Sequence, residues 1–189
     1  MAKLDPSTLT AQRALTTARQ LASAGEAHQY LTFTLSGDMY AVGILNVKEI
    51  IEYGNLTEIP MMPAFIRGVI NLRGAVVPVI DLAARFGGQA SDIGKRSCIV
   101  IVEMNQSDGK QDLGIMVDAV SEVLEIPGSE IEPPPSFGAK IRADFIAGMG
   151  KVNGKFVILL DIQRVLSVDE MATLASVGGQ SSEVTAEVQ

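Results

Sequence analysis

Few residues in this chain are equipped to do chemistry on a substrate. There is one His and one Cys among 189 residues. A Ser-His-Asp or Cys-His relay would have to run through His28, which ends a polar, Ala-rich leader and reads as a surface or edge residue. A zinc site needs about four ligands, which Cys98 and His28 do not supply. A lone Cys forms no internal disulfide, which fits a reducing compartment. Within Ser97-Cys-Ile-Val-Ile-Val102 it reads as a small buried hydrophobe. That leaves carboxylates. Asp81 and Asp161 each end an apolar run and precede a helix-like stretch. Brought into one cleft, they would suit general acid/base work. Taken separately, each reads as an N-cap whose side chain accepts an orphan backbone N–H. Gly68, Gly74, Gly148, Gly150 and Gly154 lack the strand-loop-helix setting and the Gly-Lys-Ser/Thr ending of a phosphate loop, so they read as hairpin glycines. The expectation is no catalytic constellation, no metal site and no cofactor.

Arg73 is harder to set aside. In Asn71-Leu72-Arg73-Gly74 it is one of few cations in a long apolar stretch. It reads either as a solvated turn residue or as a positioned cation paired with a carboxylate such as Glu49, or with a partner. An exposed ion pair contributes only about 0 to 1 kcal/mol, so such a pair would serve orientation rather than stability.

The elements that must position these residues are mostly β. Hydrophobic residues make up 47% and charged residues 20%, which suits a packed core, and aromatics are only 5%. Tyr30-Leu-Thr-Phe-Thr-Leu35 alternates with period two, and Gly37-Asp38 turns it into a strand from Met39 to Leu45. Ser97–Met104 and Asp112–Val117 read as strands around a polar loop at Asp108-Gly109. Asn153-Gly154 is a hairpin signal, followed by an apolar strand, Phe156–Leu160. Residues 1–28 carry a weak stripe of Leu9, Leu15, Ala18, Leu21 and Ala22 and read as a frayed or transient helix. Ser167-Val-Asp-Glu170 has capping-box spacing and should open a short helix. Residues 171–189 read as the end of that helix and a disordered tail.

An internal repeat organises the middle. Phe65-Ile-Arg-Gly-Val-Ile-Asn-Leu-Arg-Gly-Ala-Val-Val-Pro-Val-Ile-Asp-Leu82 aligns without gaps to Phe145-Ile-Ala-Gly-Met-Gly-Lys-Val-Asn-Gly-Lys-Phe-Val-Ile-Leu-Leu-Asp-Ile162. Upstream, Val47-Lys-Glu-Ile-Ile-Glu52 is echoed by Val120-Ser-Glu-Val-Leu-Glu125. The chain thus reads as two copies of one β unit, about 29–90 and 96–166, with room for strand exchange between them. Each is too short to bury a sizeable core alone. The second copy holds Asn153 where the first holds Arg73, so the turn itself does not require the Arg.

Charge narrows the partners. Lys plus Arg number 15 against 22 Asp plus Glu, a formal net charge of -7. Nucleic acid and anionic membrane surfaces draw on clustered Lys and Arg, so neither is expected. No run approaches the roughly 18 apolar residues of a membrane span. The opening Met-Ala-Lys-Leu-Asp-Pro has no apolar h-region, so a cytoplasmic location is expected.

With Tyr30-Leu-Thr-Phe, Tyr40-Ala-Val-Gly-Ile, Val47-x-Glu49-Ile50, Ile59-Pro60, the Phe65–Leu82 block and Phe145-Ile-x-Gly-Met-Gly, the chain resembles the CheW family of bacterial chemotaxis coupling proteins. The likeness spans about 29–170. It implies a mainly β fold of two SH3-like five-stranded barrels packed together, with short helices between strands and at the C-terminus. It implies a non-enzymatic adaptor. The implied partners are the regulatory domain of the histidine kinase CheA and the cytoplasmic tip of methyl-accepting chemotaxis receptors, with recruitment to receptor arrays and no direct membrane insertion. The receptor groove it implies is formed by Val47, Glu49, Asn71, Leu72, Arg73, Gly74 and Val120, and Gly68 matches a glycine sensitive to bulk. Kinase contact would fall on exposed barrel ends. An adaptor of a pilus-based or non-chemotactic sensory pathway stays open beside this reading.

Overall fold

The computed structural model describes residues 5–23, 28–106, 109–134 and 143–167. Asp108, the linker after Pro134, the Ser167–Glu170 cap beyond Ser167 itself, and the C-terminal tail lie outside them. One long helix, α1 (Pro6–Ser23), precedes strands β1 (Gln29–Leu35), β2 (Asp38–Gly43), β3 (Val47–Glu52), β4 (Ile66–Leu72) and β5 (Ala75–Asp81). A four-residue helix α2 (Leu82–Arg85) follows. Then come β6 (Cys98–Gln106), β7 (Gly109–Val117), β8 (Ala119–Glu125), β9 (Ile131–Glu132), β10 (Ile146–Val152), β11 (Lys155–Leu160) and α3 (Ile162–Val165). The strand expected from Met39 to Leu45 stops at Gly43, where a 3-10 turn at Ile44–Asn46 redirects the chain into β3.

The strands form two sheets, ordered β8-β1-β2-β11-β10-β9 and β3-β6-β7-β5-β4. Each sheet mixes the two copies. The first takes β1 and β2 from copy one and β8 to β11 from copy two; the second takes β3, β4 and β5 from copy one and β6 and β7 from copy two. The pairings correspond: β3 lies antiparallel to β6 as β8 does to β1, and β5 runs parallel to β7 as β11 does to β2. The hairpins β4–β5 and β10–β11 share even their irregularity, with a register shift between Ile66 and Gly68 in one and between Ile146 and Gly148 in the other.

Both faces of the central strands are covered, which explains their unbroken apolar runs. Along β6, Ile99 and Ile101 point into a small cluster with Ile70, Val77, Val79 and Met116, while Val100 and Val102 point into the large core between the sheets. Ile51 from one edge of that sheet and Leu72 from the other pack on the same small cluster, so the sheet curls into an SH3-like barrel. Leu124 and Ile131 do the same around Ala41, Ile126, Val157 and Leu159 in the other sheet. The sixth strand there, β9, is two residues long, and its counterpart is reduced to a single bridge, Thr57 to Val69.

Between the barrels the repeat meets itself. The Arg85 guanidinium lies 5.3 Å from the Phe65 ring centre and 4.9 Å from that of Phe145, its repeat-equivalent, a favourable cation–π distance to both. Arg85 Nε also donates to the Val165 carbonyl at 3.0 Å, tying α2 to α3.

The N-terminal segment departs from expectation. It forms a helix packed on the barrels, and Ala18, Leu21 and Ala22 of the expected stripe lie outside the described side chains. Among the described side chains its contact face is Thr8, Ala11 and Leu15, all buried, with spacing of three and four residues, whereas Leu9 of the expected stripe is 44% exposed. The helix starts at an Asp5 cap, whose Oδ1 accepts the Ser7 N–H at 2.9 Å.

Candidate functional site

The turn joining β4 to β5 has two central residues, Arg73 and Gly74, with φ of +52° and +85°. That is the type I′ pattern of a two-residue hairpin, and Asn71 Oδ1 accepts the Gly74 N–H across it at 2.9 Å. The matching turn holds Asn153 and Gly154 at +51° and +77°. Asn tolerates this left-handed conformation well, and a residue such as Arg adopts it at a cost of roughly 1 to 2 kcal/mol. An Arg therefore occupies a position where the backbone favours Asn.

The side chain is held as well as the backbone. Arg73 Nη1 and Nη2 donate to Glu49 Oε1 and Oε2 at 2.8 and 3.0 Å, a two-point clasp. The Arg73 side chain is 77% exposed and that of Glu49 only 17%. Glu49 belongs to β3 and Arg73 to the β4–β5 turn, at opposite edges of one sheet, so the clasp links the barrel's two edges. The result is a rigid planar cation held at the surface with its backbone and its head group both fixed.

The remaining expected groove residues fall in two groups. Asn71 and Gly74 are exposed and Leu72 is half-buried, all in the same turn as Arg73. Val47 and Val120 are not on the surface. Both are essentially fully buried in the inter-sheet core, in one cluster with Ala11 and Leu15 of α1. They lie on β3 and β8, each the edge strand of its sheet, and α1 packs across both. A groove lined by their side chains is thus closed in this conformation, with α1 packed across the two strands that carry them. Gly68 lies elsewhere on the same hairpin, where its φ is +149° and the Thr57 carbonyl approaches it from the side.

Sequence reasoning missed Gln12. Its Oε1 accepts the backbone N–H of Ile50 at 2.9 Å, meeting an unpaired donor on the β3 edge. Nothing in an Ala- and Thr-rich leader marks one Gln as an edge partner.

The carboxylates that might have made an enzyme do not share a cleft. Asp81 and Asp161 both cap short helices, accepting from Ala84 N and Arg164 N, and they close hairpins of different sheets. Asp81 is fully buried with its oxygens engaged by Arg67 Nε at 3.1 Å, Ser91 N at 2.8 Å and Ser91 Oγ at 3.1 Å. Glu49 is clasped by Arg73. Among the described residues no group of three or more His, Cys, Asp or Glu is arranged to hold a metal ion. No described helix is long and apolar enough to cross a membrane.

Cys98 is buried, and burial pushes its thiol pKa up, with the Thr8 hydroxyl 3.6 Å from its sulfur acting the other way. Its thiolate fraction at neutral pH is therefore small. The native protein should react with a disulfide-exchange reagent such as DTNB far more slowly than the urea-unfolded chain. Equal rates at pH 8 would contradict the packing of α1 over this residue.

Comparison with known proteins agrees with this architecture. A family model described as CheW-like domain matches residues 29–170. The chain is 36% identical over 163 residues to "Chemotaxis protein CheW" of Klebsiella aerogenes, covering 86% of this chain and 96% of that one. It is 28% identical to "Protein FrzA" of Myxococcus xanthus over 156 residues, 82% and 94% of the two chains. It also matches the crystal structure of the scaffolding protein TtCheW from Thermoanaerobacter tengcongensis, with a TM-score of 0.67 and 37% identity over 74% of this chain and 87% of that one. The duplicated, strand-exchanged barrels and these matches together place the chain in the CheW family.

Proposed function

We propose that this chain is a non-enzymatic adaptor coupling methyl-accepting chemotaxis receptors to the regulatory domain of the histidine kinase CheA. The observation that carries this reading is the Arg73–Glu49 clasp, an exposed, immobilised cation on a turn whose backbone would prefer Asn. The Arg73 end of the pair is exposed, which limits what the pair adds to stability, so its use lies in recognition. A receptor tip is a helical hairpin, and an apolar groove with a charged rim suits such a partner, the rim fixing register more than affinity. Residues 29–170 form the adaptor module. In this reading Arg73, Glu49 and the Asn71–Gly74 turn form the rim, and the β3/β8 seam containing Val47 and Val120 forms the floor. The kinase binds exposed barrel ends, and the protein works in the cytoplasm at receptor arrays.

Two substitutions test this. Arg73→Glu should weaken binding to a receptor cytoplasmic fragment at least tenfold while binding to the kinase regulatory domain and the melting temperature change little. Arg73→Asn should leave stability equal or slightly higher, since Asn suits the turn, and should still weaken receptor binding. A purified chain that binds neither partner in pull-downs would overturn the adaptor reading. If Arg73→Glu lost several kcal/mol of stability instead, the pair would be structural, as a broken buried pair costs roughly 3 to 5 kcal/mol.

A further inference from the structure

We infer that α1 is a resident occupant of the seam between β3 and β8, and that a helical partner must displace it to bind there. The inference rests on the adaptor reading for the identity of that partner. The placement of α1 is independent of it.

Three observations carry it. First, α1 lies where the two barrels present their free edges. It packs on β3 and β8, and its Ala11 and Leu15 share one apolar cluster with Val47, Ile50 and Val120. Gln12 occupies the Ile50 N–H, a donor that an incoming chain would otherwise find open. The seam therefore accepts a helix, and the chain supplies one.

Second, the described contact face is small. Among the described side chains of α1, only Thr8, Ala11 and Leu15 are buried, and just one of those is a large apolar residue. Leu9 remains exposed, so the face is narrow.

Third, the helix has little stability of its own. Thr10, Thr16 and Thr17 each turn their hydroxyl back to the carbonyl four residues earlier, a bonding mode that slightly weakens helices. No basic residue sits in its last turn, so the C-terminal end of the helix dipole is not offset by charge there. A helix that is weak alone and holds the seam through so small a described face exchanges with a competitor presenting a wider apolar face. Receptor affinity is then reduced by the fraction of molecules in which α1 is docked.

The structure also supplies a reversible lock. Thr8 Oγ1 and Cys98 Sγ are 3.6 Å apart. In Thr8→Cys, oxidation with diamide should join the new thiol to Cys98 and pin α1 to β6, and reduction with dithiothreitol should free it. In full-length Leu15→Glu the helix should undock while the barrels stay folded, as checked by strand circular dichroism and melting.

Titrating a recombinant receptor cytoplasmic fragment against each form tests the inference. The oxidised lock should bind at least tenfold more weakly than the same protein reduced, and Leu15→Glu several-fold more tightly than wild type. Binding of the kinase regulatory domain should not differ among the forms. Hydrogen exchange on adding receptor fragment should show loss of protection across α1. Equal receptor affinity in all forms would overturn the displacement of α1 and leave the adaptor reading standing. Absence of receptor binding in every form would overturn both.

Discussion

Asp81→Ala should lower unfolding stability by roughly 3 to 5 kcal/mol, the range for stranding one member of a buried ion pair, whereas Asp161→Ala should lower it by about 1 kcal/mol, the value of an exposed N-cap. The two residues are equivalents in the repeat, with the same strand before and the same four-residue helix after. Each accepts the N–H three residues on. Their surroundings differ. Asp81 is fully buried, holds Arg67 from β4 and ties down the loop after α2 through two hydrogen bonds from Ser91. Arg67 also donates to the Ser91 carbonyl, so carboxylate, guanidinium and loop form one closed network. Asp161 is 36% exposed and meets Arg164 only at 3.4 Å, and its copy has Ala147 where the first has Arg67. Removing Asp81 leaves Arg67 partly desolvated without its carboxylate, and leaves two Ser91 donors unmet. Urea unfolding monitored by circular dichroism separates the cases, provided the denaturant slope is unchanged. Equal losses at both sites would mean that the Arg67–Ser91 network contributes nothing beyond the cap.

That contrast marks what local sequence carries and what it does not. The repeat was legible because hairpins impose local rules. Glycines at the turns, apolar alternation and an Asp after the second strand recur, and both hairpins form with the same register. The likeness of Asp81 to Asp161 was legible for the same reason, and their difference was not, because Arg67 and Ser91 reach Asp81 through space. Strand exchange is likewise a long-range choice: Val47–Glu52 and Val120–Glu125 have similar edge-strand patterns, and nothing in either says which sheet it joins. Arg73 stands out by comparison with Asn153, but its left-handed backbone and its hold on Glu49 are set by contacts across the sheet that local sequence does not carry. The burial of Val47 and Val120 depends on packing between distant elements, including α1, whose described buried side chains Thr8, Ala11 and Leu15 are too small and too mixed a set to rise above an Ala- and Thr-rich background.

The second large effect is expected at Gly68. A Cβ placed there would stand 2.2 Å from the Thr57 carbonyl oxygen and 2.9 Å from its carbon. Both are backbone atoms, held by the paired bonds Thr57 N to Val69 O at 2.9 Å and Val69 N to Thr57 O at 2.8 Å. No side chain can swing away to make room, so the segment before β4 must retreat and that bridge must break. The backbone adds to the difficulty, since a φ of +149° is available to Gly and strained for Ala. Overpacking and backbone strain each contribute about 1 to 3 kcal/mol, so Gly68→Ala should lose roughly 2 to 6 kcal/mol. Its repeat-equivalent Gly148 provides the control. There the φ is not positive, and the nearest atom to an added Cβ is Ile131 Cγ2 at 2.7 Å, on a side chain of a two-residue strand. Gly148→Ala should therefore be destabilising by less than half as much. Hydrogen exchange at Thr57 and Val69 gives the local readout: protection should vanish in Gly68→Ala and persist in Gly148→Ala. Because β4 leads directly into the Asn71–Gly74 turn, a displaced Thr57 segment also loosens the support beneath Arg73. In the proposed adaptor reading, Gly68→Ala should thus weaken receptor coupling even at temperatures where the chain stays folded. Wild-type coupling in a variant that has lost the Thr57–Val69 bridge would show that the clasp is held by Glu49 and the turn alone.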